Sequence, residues 1–274
     1  MSKRSRERQL AKLAARRQAE RDAQRHRRQR ILGAVGLVAA VGLLVAAGSV
    51  IFNGDDGTQA SPSPTVSPSA SPSEGPLPVA CDAKAPKAAG TTKPTFDKPP
   101  AMTIDPTKTY IATMETSCGT IVIQLDPEAA PIGVDSFVFL AKKGFFDGLT
   151  FHRIAPGFVI QGGDPEGTGS GGPGYQFATE TSPKVTFDAA GILAYANAGG
   201  DTNGSQFFIT LAPSPNLDPT PQGSYTIFGK VIEGLGVVRT IGEIPGTANP
   251  QLPGEDSVPT QTVYIDKVTI AVQP

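Results

Sequence analysis

Apolar and polar positions change character along the chain, and each change marks a boundary. Residues 1–30 are dominated by Arg, Ala, Gln and Glu, with Leu10 and Leu13 among the few large apolar side chains. These residue types favour helix without supplying an apolar face. Ile31 to Phe52 follow as an uncharged apolar run of 22 residues. At about 1.5 Å per residue, such a run is long enough to cross a hydrocarbon core of about 30 Å, so the pattern predicts a single transmembrane helix over 31–52. The next stretch, including Ser61-Pro-Ser-Pro-Thr-Val-Ser-Pro, holds almost no apolar side chains. It cannot bury enough surface to offset the entropy of ordering, and is expected to be a disordered linker. Its prolines favour an extended spacer, at about 3.1 Å per residue on the order of 70 Å long. Residues 77–107 stay rich in Pro and Lys and read as a lead-in arm, so linker and arm together span 53–107.

Regular patterning begins near Thr109. Tyr110–Met114 and Ile121–Leu125 alternate in the manner of half-buried strands around Cys118-Gly119, which predicts a hairpin. Val134, Phe137, Val138 and Ala141 fall on one helical face, with Gly144 placed to cap that helix. Further short β-prone runs are Phe158–Ile160, Ile192–Tyr195, Phe207–Thr210, Thr226–Phe228 and Val263–Ile270. Many short strands between Gly/Pro turns predict a mainly β domain over 108–274, either a barrel or a sandwich.

Charge sharpens the division. The net charge of −1 conceals a head, residues 1–30, at +9 and a remainder at −10. A head of this kind suits either nucleic acid or anionic lipid, and the apolar run beside it favours lipid. Arg27, Arg28 and Arg30 flank that run on one side, with Asp55 and Asp56 on the other. The positive-inside rule then places residues 1–30 in the cytoplasm and the rest outside, in a single-pass cell-membrane protein. A cleaved signal peptide ending near Ala46-Ala47-Gly48 is the rival reading.

The two cysteines, Cys81 and Cys118, lack zinc-ligand spacing, and only His26 and His152 could assist them, which argues against a metal site. One disulfide and two free thiols both remain open.

The densest motif is Phe151-His152-Arg153, continuing through Phe158 and Val159 to Gln161-Gly162-Gly163-Asp164. Ala196-Asn197-Ala198-Gly199 and Asn203-Gly-Ser-Gln-Phe-Phe-Ile209 follow, then Leu217 and Tyr225. These segments resemble the cyclophilins over roughly residues 108–272, with each motif in order. Joined to the anchor, the chain looks like a bacterial membrane-anchored form of that family. The resemblance implies a closed eight-stranded antiparallel β-barrel capped by two α-helices, with a substrate groove on the outer face. It implies peptidyl-prolyl cis-trans isomerase activity on flexible proline-containing chains, here exported or cell-envelope proteins whose folding it assists, with no cofactor and one chain as the working unit. By position, Arg153 matches the catalytic arginine, and Phe158, Val159, Phe208 and Leu217 match the proline-ring pocket. Gln161, Ala196, Asn197, Ala198 and Gln206 match residues that bind the peptide backbone or support the arginine. Tyr225 stands where many relatives carry His, and Val159 where many carry Met. Asn216 replaces the Trp of the best-known eukaryotic members; that Trp is part of the cyclosporin site, so its absence counts against tight drug binding.

An arginine suits this chemistry. Rotation about a peptide bond faces a barrier of about 18–20 kcal/mol set by amide resonance. No bond has to break; the twisted amide need only be favoured over both planar forms. Twisting localises a lone pair on the prolyl nitrogen, to which an always-charged guanidinium can donate. His152 has no nucleophile context beside it and reads as a hydrogen-bonded structural histidine. Gly167–Gly174 lacks the Gly-Lys-Ser/Thr ending of a phosphate loop. The other reading of the groove is a proline-binding module or holdase without turnover.

Overall fold

A computed structural model describes residues 76–218 and 224–274. The chain divides into two units, Met1–Ser69 and Ala70–Pro274, and every described residue lies in the second. The basic head, the apolar run 31–52 with its expected lipid contact, and the linker up to residue 75 lie outside the described residues.

The alternation in the sequence translates directly into two faces. Strand β1 (Thr109–Thr116) turns Tyr110, Ala112 and Met114 inward; β2 (Gly119–Leu125) turns Ile121, Ile123 and Leu125 inward. They form the expected hairpin, with Tyr110 opposite Leu125 and Thr116 opposite Gly119. The remaining strands of the main sheet are β3 (Arg153–Ala155), β4 (Val159–Gly162), β5 (Ile192–Tyr195), β6 (Phe207–Thr210), β7 (Ile227–Glu233) and β10 (Ile265–Gln273). Between the last two, β8 (Gly246–Ala248) and β9 (Asp256–Pro259) form a separate antiparallel hairpin.

The eight strands are hydrogen-bonded in the order β10-β1-β2-β7-β5-β6-β4-β3. This corrects the expected closed barrel: the sheet curls, but β3 and β10 remain its two edges. β3 is only three residues long; it pairs with β4 along one side, and no ladder joins its other side to β10. The two edges touch only just before β3, around the bridge between Thr150 and Tyr264: Gly148 N–H donates to Ile265 O at 2.6 Å, Ile265 N–H to Leu149 O at 2.7 Å, and Phe151 N–H to Val263 O at 3.0 Å. The free flank of β3 packs instead against β9.

Two helices cover the sheet. Helix α1 (Pro131–Lys142) buries Val134, Phe137, Val138 and Ala141, the face read from the sequence. Its end follows the expected chemistry: Gly144 adopts φ +65°, its N–H donates to Ala141 O at 3.0 Å, and Phe145 N–H donates to Leu140 O at 3.0 Å. That is a Schellman cap, in which glycine bears no Cβ penalty. The N-terminus starts on Pro131 after Ala130, which has no capping side chain. The Glu180 carboxylate supplies the cap from another segment, accepting from Ile132 N–H (3.0 Å) and Gly133 N–H (2.8 Å). Helix α2 (Leu235–Gly242) buries Val238 and Ile241. Inside the sheet, Phe137 stacks on Phe146 at 4.9 Å and meets Phe228 at 5.4 Å. Among the described residues, no helix is long and apolar enough to cross a membrane.

Residues 76–107 are ordered against this body. Thr262 N–H donates to Pro78 O and Ala80 N–H donates to Thr262 O, at 2.8 and 2.9 Å. Cys81 is joined to Cys118 by a disulfide, which decides between the pairings left open above. Phe96 meets Phe139 edge-on at 4.8 Å, and Ile104 is buried. Asp135, itself buried on α1, accepts from Thr103 N–H, Thr103 Oγ1 and Ile104 N–H at 2.9 to 3.1 Å. Removing a buried charged acceptor strands its donors, so Asp135→Ala is expected to lower unfolding free energy by about 1–3 kcal/mol in urea titration.

Candidate active site

In an antiparallel sheet, residues directly opposite share a face. Arg153 on β3 is opposite Gln161 on β4, Gln161 is opposite Phe208 on β6, and Phe208 is opposite Ala194 on β5. One row across four strands therefore carries Arg153, Gln161 and Phe208 on the outer face. Strand period does the sorting: Phe207 points into the main core while its neighbour Phe208 points out of it. Outside the sheet, Phe208 packs with Val159, Ala155, Phe187, Ala194 and Ile227 in a second, smaller apolar cluster. Phe158, Ala196, Leu217 and Tyr225 border that cluster, partly exposed. Tyr225 closes it edge-on to Phe208 at 5.4 Å.

Above this cluster lies an open cavity of about 600 Å³. Its walls bring together Arg153, Phe158, Val159, Gln161, Phe208 and Tyr225, together with Ala196, Asn197 and Leu217. Ala198 and Gln206 do not line it. They line an adjoining cavity of about 910 Å³ that shares Gln161, Ala196 and Asn197 with the first and runs along Gly169–Gly174. Asn216 is exposed and lines neither.

The guanidinium of Arg153 is held by its neighbours. Nε and Nη2 donate to the two Glu255 carboxylate oxygens at 2.7 and 3.0 Å, and Nη1 donates to Gln161 Oε1 at 3.1 Å. Gln161 Nε2 passes the chain on to Gln206 Oε1 at 3.1 Å, and Gln206 Nε2 donates to Gly171 O at 2.9 Å. The Arg153 hydrogen bond holds the Glu255 carboxyl below its usual range. Asn197 Nδ2 donates to Asn203 Oδ1 and to Ser224 O, which fixes the amide at the cavity wall.

Asp164, last residue of the first motif, shapes the glycine-rich loop. Its carboxylate accepts from the backbone N–H groups of Glu166, Thr168 and Gly169. A Cβ on Gly171 would lie 2.1 Å from Asp164 Oδ1, so glycine is required there. His152 departs from expectation: neither ring nitrogen has a protein hydrogen-bond partner. Burial disfavours its charged form and pushes its pKa down, with Arg153 acting in the same direction and Asp164 against it. Sequence reasoning also missed the far wall of the cavity. Asn249, Gln251 and Leu252 come from the loop between β8 and β9, and Glu255 follows them. No motif marks that loop.

The family described as cyclophilin type peptidyl-prolyl cis-trans isomerase/CLD matches residues 111–270. Peptidyl-prolyl cis-trans isomerase-like 1 of Rhizopus delemar is 51% identical over 142 residues, covering 51% of this chain and 84% of that protein. The Homo sapiens protein of that name is 52% identical over 134 residues, covering 48% and 78%. A Cryptosporidium parvum cyclophilin type peptidyl-prolyl cis-trans isomerase, crystallised in the presence of the dipeptide ala-pro, aligns with TM-score 0.52 and 34% identity over 59% of this chain and 98% of that one. These relatives are eukaryotic, which corrects the bacterial membrane-anchored reading. They correct the single-pass cell-membrane placement as well; no described helix is long and apolar enough to cross a membrane, and residues 31–52 lie outside the described residues. The matched family, its relatives and the curled sheet agree: the chain belongs to the cyclophilin-type peptidyl-prolyl cis-trans isomerases.

Proposed function

We propose that this chain catalyses rotation about X–Pro peptide bonds in flexible proline-containing polypeptides, with Arg153 as the catalytic residue. The observation that carries this reading is the cross-strand row, which sets a guanidinium beside an apolar cavity on one rigid sheet face. The proline ring enters the cavity over Phe208 and Val159, bounded by Phe158, Leu217 and Tyr225. Gln161, Asn197 and Gln206, with the backbone at Ala196 and Ala198, hold the flanking peptide. As the amide twists, conjugation is lost and the prolyl nitrogen becomes a better acceptor. An N–H of Arg153 that is already aligned strengthens as that lone pair forms, which stabilises the transition state more than either ground state. No proton is transferred and no covalent intermediate arises.

The test is a protease-coupled assay of the full chain on an Ala-Pro peptide. Catalysis should raise the cis-to-trans rate well above the uncatalysed tens to hundreds of seconds. Peptide binding with no rate enhancement would instead identify a binding module.

A further inference from the structure

The geometry points to Glu255, on the loop of the β8–β9 hairpin, as the positioning residue that holds the Arg153 guanidinium in its working orientation. This rests on the reading of Arg153 as catalytic. The bond set is directional. Of the five N–H groups on a guanidinium, one on Nε and one on Nη2 go to Glu255 and one on Nη1 goes to Gln161. One N–H on each of Nη1 and Nη2 is left for an incoming acceptor. Two-point attachment through the fork fixes the plane of the group as well as its position, which a single contact to Gln161 cannot do.

The pair is unlike an ordinary surface contact. The side chains are only 15% and 32% exposed, and both carboxylate oxygens are engaged. The carboxylate is also placed independently of its partner. Glu255 N–H donates to Leu252 O at 3.0 Å, and Glu255 O accepts from Asn249 N–H at 2.8 Å. Asn249 Nδ2 donates to Ser257 Oγ at 3.0 Å, and Gln251 Nε2 ties the loop tip to Thr168 O. A Cβ on Gly246 would lie 2.4 Å from Asp256 O, so the hairpin closes too tightly there for any other residue. The turn therefore presents the carboxylate to Arg153 ready-made. A long arginine side chain loses much rotamer freedom when ordered. Ordering it before substrate arrives keeps that cost out of the chemical step.

The experiment compares full-chain variants by kcat and KM on one X–Pro peptide. Glu255→Ala is expected to lower kcat about tenfold, since misaligned groups lose rate steeply, with KM close to the unsubstituted chain and the urea midpoint lowered only slightly by loss of the ion pair. Glu255→Asp should recover part of the loss. Glu255→Gln should not, because its amide turns an N–H toward the guanidinium. In an Arg153→Ala background, Glu255→Ala should have no further effect. The Arg153 Nε–H resonance should be sharp and slowly exchanging in the parent chain and broadened in Glu255→Ala. Full kcat in Glu255→Ala, or an equal loss with and without Arg153, overturns the proposal. The two readings separate cleanly: a fully active Arg153→Ala chain defeats the functional reading itself, whereas a slow Arg153→Ala beside a fully active Glu255→Ala defeats this one alone.

Discussion

Replacing Arg153 by alanine is expected to lower kcat/KM about 10²- to 10³-fold, the range found when one preorganised transition-state donor is removed. The loss should fall on kcat. The proline ring is held by the cluster around Phe208 and Val159, which the substitution leaves intact, so peptide affinity changes far less. Arg153→Lys should not restore the rate. An ammonium lacks the planar fork that engages Glu255 and Gln161 together, and it cannot keep a fixed N–H pointed at the prolyl nitrogen. The same variant carries a pH signature. Glu255 has its pKa lowered from the ordinary 4.5, chiefly by the Arg153 hydrogen bond. A carboxylate depressed in the folded state stabilises the fold above its unfolded value and loses that contribution as pH falls through the folded value. In Arg153→Ala the Glu255 titration should therefore move up toward 4.5, visible as an upward shift of its side-chain carbon resonance midpoint.

Replacing both Cys81 and Cys118 by serine is expected to cost roughly 4 kcal/mol of unfolding free energy in the chain-entropy account of a cross-link. The figure follows from a bridge that closes a loop with a sequence separation of 37. The effect should be concentrated on the arm. Cys118 sits in the β1–β2 turn, so the bridge ties residues 76–107 to the first hairpin of the sheet. Once it is cut, the arm is held by backbone bonds at Thr262, by Phe96 and by the donors to Asp135. Hydrogen exchange should rise first at Ala80 and Ile104. Arg153 lies on β3, at the far edge of the sheet order from β1, so activity at low denaturant should persist. A urea midpoint indifferent to both the substitution and added reductant would contradict this picture.

Much of the fold was readable because local signals and tertiary packing agree. Tyr110, Ala112 and Met114 alternate with outward residues in both the sequence and the sheet, and α1 buries the face that its spacing marks. Helix α2 was not readable. Its segment Leu-Gly-Val-Val-Arg-Thr-Ile-Gly combines two glycines with β-branched residues, a composition that disfavours helix, and burial of Val238 and Ile241 overrides it. The arm was misleading for a similar reason. Its Pro- and Lys-rich composition signals a spacer, yet Ala80, Phe96 and Ile104, widely separated in sequence, each find a place on the body. The barrel implied by resemblance stays open where no ladder joins the short β3 to β10, a feature invisible in the motif.

The site divides along the same line. Arg153, Gln161 and Phe208 lie in contiguous motifs, and strand pairing alone brings them into one row. Ala198 and Gln206 sit one step aside, in the adjoining cavity. Glu255 could not be found from sequence, since it lies 102 residues from Arg153 on a hairpin with no motif of its own. Only the approach of β9 to the free flank of β3 brings the two together.

The most direct test of the account is two-dimensional exchange NMR on an Ala-Pro peptide with a substoichiometric amount of the full chain. The parent chain should give cis–trans exchange cross-peaks within about a second of mixing, far faster than the uncatalysed interconversion. Arg153→Ala, added at the same concentration and still shifting the proline resonances on binding, should give none. Exchange cross-peaks of equal intensity from both proteins would contradict the assignment of catalysis to Arg153.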